Sequence, residues 1–133
     1  MDLRGVVRRI VSTVVADRIL DKIEKMIGFP LAVEVSPDGI KISNENPYIY
    51  FRASEVGVSE ELDESCKGKV WVVRGALLPR GLRNKGIGVL MYKLMMKAAE
   101  SEGATLKPMS CVRGGVTSPD AQRVWDSIKR VGN

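Results

Sequence analysis

The sequence contains no histidine, and that absence removes several chemistries together. A Ser-His-Asp triad, a Cys-His dyad and an imidazole ligand for zinc all require it. Cysteine is scarce: Cys66 and Cys111 stand about 45 positions apart, form no C-x-x-C pair and cannot complete a four-ligand zinc site by themselves. They read as two reduced thiols, with a disulfide between them as the alternative. Aromatic residues are 5% of the chain and form no stacking series for single-stranded nucleic acid. No window of about 18 residues is uninterruptedly apolar, so no spanning helix is expected. Residues 1–9 mix Asp2, Arg4, Arg8 and Arg9 with isolated valines where a secretory leader would be apolar. A cytoplasmic protein with no membrane segment and no metal is the expectation.

What is present is the composition of one folded domain spanning residues 1–133. Hydrophobic residues are 44% and charged residues 28%, too apolar for disorder. A chain of this size can bury roughly 65–70% of its unfolded surface without staples. Lys and Arg number 21 against 16 Asp and Glu, a net charge of +5. That surplus favours a polyanionic partner, either nucleic acid or a phosphate-bearing cofactor. Arg4, Arg8 and Arg9 with Arg80, Arg83 and Lys85 would be the nucleic-acid surface.

Between residues 3 and 27 the apolar residues Val6, Val7, Ile10, Val11, Val14, Val15, Ile19, Ile23, Met26 and Ile27 recur mainly at spacings of three and four, which predicts a helix with one apolar side. The repeat is nearer 4.0 than 3.6, so the stripe drifts by about 40° every four residues. A bend near Ala16 and Asp17, or two successive helices, would reconcile it. Gly28-Phe29-Pro30 ends the helix. Strands are predicted at 31–36, 40–43, 48–52 and 69–78, with Pro37-Asp38-Gly39 turning the first pair. The stretch 53–68 carries Glu55, Glu60, Glu61, Asp63 and Glu64 against Lys67 and reads as a solvated loop. A helix over 87–102 ends at Gly103, a short strand covers 105–109, and Arg113-Gly114-Gly115 is a flexible loop. Ser118-Pro119-Asp120 opens a last helix, with Ser at the N-cap and Pro at the first helical position.

The segment richest in chemistry is Leu77-Leu78-Pro79-Arg80-Gly81-Leu82-Arg83-Asn84-Lys85-Gly86-Ile87-Gly88. A strand ends, a glycine-rich basic turn follows, and a helix starts with its free N–H groups exposed. Those amides and the positive end of the helix form a receptor for an anion, above all a phosphate. Gly86 and Gly88 let a diphosphate approach the backbone. The string is neither a Walker A loop nor the G-x-G-x-x-G dinucleotide fingerprint. Standing alone it is equally a plain strand-to-helix turn.

With R-x-x-G-x-G at Arg83 to Gly88, a hydrophobic strand before it, and a helix ending in Ala-Glu-Ser-Glu-Gly and a short strand after it, the chain resembles the GNAT superfamily of acetyl-CoA-dependent N-acetyltransferases. The resemblance covers residues 69–130, nearly half the chain. It implies an α/β (α+β) fold, a mixed sheet flanked by helices. It further implies that the backbone of Arg83, Asn84, Lys85, Gly86, Ile87 and Gly88 holds the CoA diphosphate. Leu77 and Leu78 would pair with the pantetheine arm, the splay between this strand and the next would admit the thioester, and Ser118 would bond near the sulfur. Ser118 is equally an ordinary N-cap.

Three departures accompany the resemblance. Pro79 stands four residues before Arg83 where the family usually has three, which implies one extra loop residue. Trp125 occupies the position of a frequent tyrosine general acid, and an indole N–H only donates. The first strand and the last two strands of the family are lacking, as in a minimal or divergent member, and a homodimer could cover the exposed sheet edges.

The implied reaction is direct attack of an amine acceptor on the acetyl thioester, with acetyl-CoA as co-substrate. It needs a group to take the amine proton and a donor for the developing negative charge. Glu34 and Glu55 are candidates for the first role, and Tyr48 and Tyr50 for proton supply; all four are equally ordinary surface or packing residues. The alternative is a catalytically inactive GNAT-like module that binds CoA or nucleic acid.

Overall fold

The computed structural model describes residues 14–57 and 68–131. A helix α1 (Val14–Ile27) leads into three strands, β1 (Ala32–Ser36), β2 (Gly39–Asn44) and β3 (Ile49–Glu55), and after the undescribed stretch β4 (Val70–Leu77) follows. Helix α2 (Ile87–Ser101), the short strand β5 (Thr105–Lys107) and helix α3 (Pro119–Val131) complete the order. The first part of the expected long helix, Arg4, Arg8 and Arg9, the acidic run Glu60, Glu61, Asp63 and Glu64, and Cys66 all lie outside the described residues. Helix α1 passes through Ala16 and Asp17 without a break.

The strands form one mixed sheet in the order β1-β2-β3-β4-β5, antiparallel throughout except that β4 and β5 run parallel. Alternation decides its faces. Val33, Val35, Ile42, Ile49, Phe51, Trp71 and Leu106 enter one core with Leu20 and Ile23 of α1, Met91, Leu94 and Met95 of α2, and Trp125 and Ile128 of α3. Three helices thus cover one face of the sheet. Burial of a tryptophan ring is worth roughly 5 kcal/mol at 25 cal/mol per Å². That exceeds the loss of about 1–3 kcal/mol from Trp71 Nε1, which is buried without a partner.

The other face is polar across β1 to β3. Glu34, Lys41, Arg52 and Gly75 lie in one row by register, and Glu34 pairs with Lys41 at 3.6 Å. Over β4 this face carries a small cluster of Val70, Val72, Cys111 and Val112. Cys111 is disulfide-bonded, which corrects the expectation of reduced thiols. Sequence separation alone says nothing of how close two cysteines come once the chain folds back over a sheet.

The strand expected over 105–109 ends at Lys107, because Pro108 has no N–H to give the ladder; Met109–Cys111 turns as a 3-10 helix instead. The loop expected from residue 53 begins later, since β3 runs to Glu55 paired with Trp71. Gly28 and Gly103 end α1 and α2 in left-handed conformations, φ +86° and +70°, as helix-stopping glycines do.

Candidate functional site

Strand β4 contains one residue more than β3 opposes. Arg52 faces Gly75 while Ala53 faces Val73, leaving Arg74 as a bulge. Its guanidinium is tied to the Ser54 hydroxyl (3.0 Å) and the Glu55 carbonyl (3.1 Å). A bulge bends its strand and sharpens the twist. Strand β5 pairs only with Val70, Trp71 and Val72, so from Val73 to the end of β4 the edge has no strand beside it among the described residues. A cleft of about 200 Å³ opens there, between Val73, Gly75 and Ala76 on one side and Pro108, Val116 and Ser118 on the other. Tyr92 and Trp125 also line it.

The far wall is a looped segment with its own fastenings. The Thr117 hydroxyl donates to Ser110 Oγ at 3.0 Å, the Ser110 amide reaches Thr117 Oγ1 at 3.3 Å, and the Gly115 amide reaches the Val112 carbonyl at 2.8 Å. The Cys111 disulfide adds a covalent anchor. Ser118 Oγ accepts from the Ala121 amide at 3.2 Å, so its N-cap role is real, and its hydroxyl still lines the cleft.

Where β4 leaves the sheet, Pro79 starts a 3-10 turn (Arg80–Leu82), whose amides return to the Pro79 and Arg80 carbonyls. Arg83 is exposed, and its Nε donates to the Leu78 carbonyl at 2.8 Å, tying the turn to the strand end. Asn84 (φ +63°) and Gly86 (φ +82°) then reverse the chain into α2. Gly86 is the N-cap, and no side chain caps the helix, so the amides of its first turn point outward without an intrahelical partner. Lys85, Asn84 and Gly86 are exposed. No carboxylate occurs in the sequence between residues 65 and 99, while Arg80, Arg83 and Lys85 crowd the turn, so the local field is positive. A Cβ built on Gly88 would meet only Val124 Cγ2, at 3.7 Å.

Of the expected binding residues, Ser118 lines the cleft, while Leu77, Leu78 and the Arg83 to Gly88 turn follow the end of β4 outside it. Leu77 is exposed and ends β4, whereas Leu78 has its carbonyl engaged by Arg83. The four catalytic candidates do not line the cleft. Glu34, Tyr50 and Glu55 line a depression on the polar sheet face, and Tyr48 stacks on Tyr50 with ring centroids 6.3 Å apart. Tyr50 comes nearest: a Cβ on Gly75 would lie 2.7 Å from its ring. Sequence reading missed Tyr92, whose place among the apolar positions of α2 gave no signal, and the bulge at Arg74.

A larger concavity of about 1040 Å³ lies between the helices, floored by Ile19, Leu90 and Trp125 and rimmed by Arg18, Lys22 and Lys93. Neither hollow includes a residue of the basic turn; the smaller one is singled out because it opens beside the unpaired edge of β4. Among the described residues no three His, Cys, Asp or Glu side chains gather to hold a metal ion, and no helix is long and apolar enough to cross a membrane. No protein family model, curated protein or solved structure matches the chain.

Proposed function

We propose that this chain is an acetyl-CoA-dependent N-acetyltransferase of the GNAT kind, transferring an acetyl group to an amine by direct attack on the thioester. The observation that carries the reading is an uncapped, carboxylate-free helix start that follows a strand whose unpaired edge borders a narrow cleft. A diphosphate suits the first, since outward amides and a positive helix end favour a doubly charged group. An amide-bearing chain suits the second, since a free edge offers alternating donors and acceptors. A slender thioester suits the third. The co-substrate supplies the activated acyl group; the chain's residues bind and orient it. The acceptor amine would approach from the polar sheet face, where Tyr50 borders Gly75.

A second reading, a module that binds CoA without turnover, is favoured by Trp125. Its ring is largely buried in the core, and its N–H can donate a hydrogen bond but does not give up its proton at neutral pH, so it cannot serve as the general acid.

Calorimetric titration with CoA and acetyl-CoA tests the reading, with Gly88→Glu as the control. An added Cβ there makes only an ordinary contact, and with the fold of the variant checked by circular dichroism a loss of binding reports charge repulsion at the diphosphate. Micromolar binding abolished by Gly88→Glu is the expected result. No binding of either ligand by the wild-type chain overturns the proposal, and binding with no acetylation across a broad amine panel selects the second reading.

A further inference from the structure

The concavity of about 1040 Å³ is walled by all three helices. Ile19 of α1, Leu90 of α2 and Trp125 and Ile128 of α3 give it an apolar floor, the last two buried and the others half-buried. On α1 the lining positions step from Val15 to Ile19 to Lys22, and on α2 from Leu90 through Lys93 and Lys97 to Glu100. Steps of three and four are those of one helix face. Val15, at the edge, is 48% exposed.

Charge sets this hollow apart. Arg18, Lys22, Lys93, Lys97, Lys107 and Lys129 line it against one carboxylate, Glu100, a surplus of five. The whole chain carries +5, so all its other formal charges balance. Glu100 is already held by Lys97 at 3.2 Å. Arg18, Lys22, Lys93 and Lys107 have no ion pair among the described residues.

We propose that the hollow is a docking groove for an amphipathic helix of a partner protein, one whose apolar stripe is flanked by Asp and Glu. Three helix faces leave between them a furrow that the ridge of a fourth helix fits. Leu90 to Glu100 spans about 15 Å at 1.5 Å per residue, the length of about ten residues of such a helix. Cations spread over that length match a row of carboxylates, whereas a fatty acid or another single-headed anion would meet one or two of them. A nucleic acid would meet the charges and leave the floor unused, since Trp125 is 8% exposed and offers no face for a base to stack on. A bilayer surface is too flat to enter a furrow. Docking here requires nothing of the acetyl-CoA reading, although Pro108 and Trp125 line both this groove and the cleft.

The test is a fluorescence titration of the full chain with a stapled synthetic helix of about 15 residues, stapled because isolated helices of that length are marginal. Leu forms its apolar stripe and Glu its flanks; a second peptide has Lys in place of Glu. Trp71 and Trp125 are the two tryptophans, and Trp125 lines the groove, so it reports an occupant that has no tryptophan of its own. Wild-type protein should bind the Glu peptide about tenfold or more tightly than the Lys peptide, and added salt should narrow the difference. The double change Lys22→Glu, Lys93→Glu should reverse the preference. Unfolding would weaken both peptides, so a crossed preference reports the groove itself. No binding of the Glu peptide by the wild type, or an unchanged preference in the double variant, overturns the proposal. Tighter binding of duplex DNA or of phosphatidylserine vesicles than of the Glu peptide, lost in the same double variant, overturns it in favour of that partner. Each of these outcomes is read separately from CoA titration, which alone bears on the acetyl-CoA reading.

Discussion

Tyr92 and Trp125 meet edge to face with centroids 5.3 Å apart, and this contact joins α2 to α3 at the floor of the cleft. Both rings belong to the main core, so the pocket wall and the fold's stability share the same atoms. Trp125→Ala should therefore destabilise the protein by about 3–5 kcal/mol. Trp125→Phe, which keeps an aromatic edge, should lose less than half of that. Urea unfolding followed by circular dichroism compares the two; a loss below about 1 kcal/mol for the alanine variant contradicts the packing described.

Alkaline pH should weaken the fold through Tyr92. Burial raises its pKa from 10.0 to about 12, so between those values the native state holds a proton that the unfolded chain has released. Stability is then fully present below pH 10 and falls as pH rises toward 12, by an amount on the order of 2–3 kcal/mol. Unfolding midpoints measured on both sides of pH 10 should diverge for the wild type and diverge less for Tyr92→Phe. Equal slopes for the two proteins would disprove the assignment.

The two glycines of the basic turn should respond in opposite ways to alanine. Gly86 sits at φ +82°, where a Cβ is strained, and Gly86→Ala should cost about 1 kcal/mol. Gly88 stands inside the first turn of α2, where an added Cβ would make an ordinary contact with Val124. Gly88→Ala should be neutral or stabilising by up to about 1 kcal/mol, from helix propensity. Thermal melts of the single variants decide it, and reversed signs would place the helix start elsewhere.

Reduction should loosen the far wall of the cleft. Cys111 is disulfide-bonded, and Cys66 is the only other cysteine in the chain. A bond between them would close a loop of about 45 residues, which is worth up to about 4 kcal/mol in the chain-entropy account. Thiol titration of the unreduced, denatured protein should find no free thiol. Added phosphine reductant should lower the unfolding midpoint and raise hydrogen exchange at Ser110 and Thr117.

Much of the architecture was legible because local chemistry and tertiary burial agree. Val33 and Val35 alternate with exposed neighbours, Gly28 and Gly103 stop helices where only left-handed backbone fits, and Ser118 caps as its pattern implies. The basic turn was legible for the same reason: a helix start after a strand carries its charge preference in the backbone. Other features depend on what folding brings near. Nothing in the sequence around Arg74 marks a bulge, because a bulge is defined by the register of two strands. Tyr92 reads as core until its neighbours are placed, since Gly75 and Ser118 come from 17 positions before it and 26 after. Glu34 and Glu55 looked useful as carboxylates on a strand and just after one, yet both line the depression across β1 to β3 and neither lines the cleft.

The surplus residue in β4 also sets which way the end of that strand looks. Trp71 and Val73 point into the helices, and an unbroken pleat would send Gly75 and Leu77 after them. With Arg74 inserted, those two turn outward beside Arg52 and Tyr50, and Ala76 takes the inner side. Excising that one position would join Val73 to Gly75 in an unbroken ladder with β3 and leave Gly75, Ala76 and Leu77 on the sides they have now, so what the extra residue adds is a local bend and sharper twist. A single inserted amino acid thus puts the kink of β4 just past its last pairing with β5, where Pro108 has already ended the shared ladder.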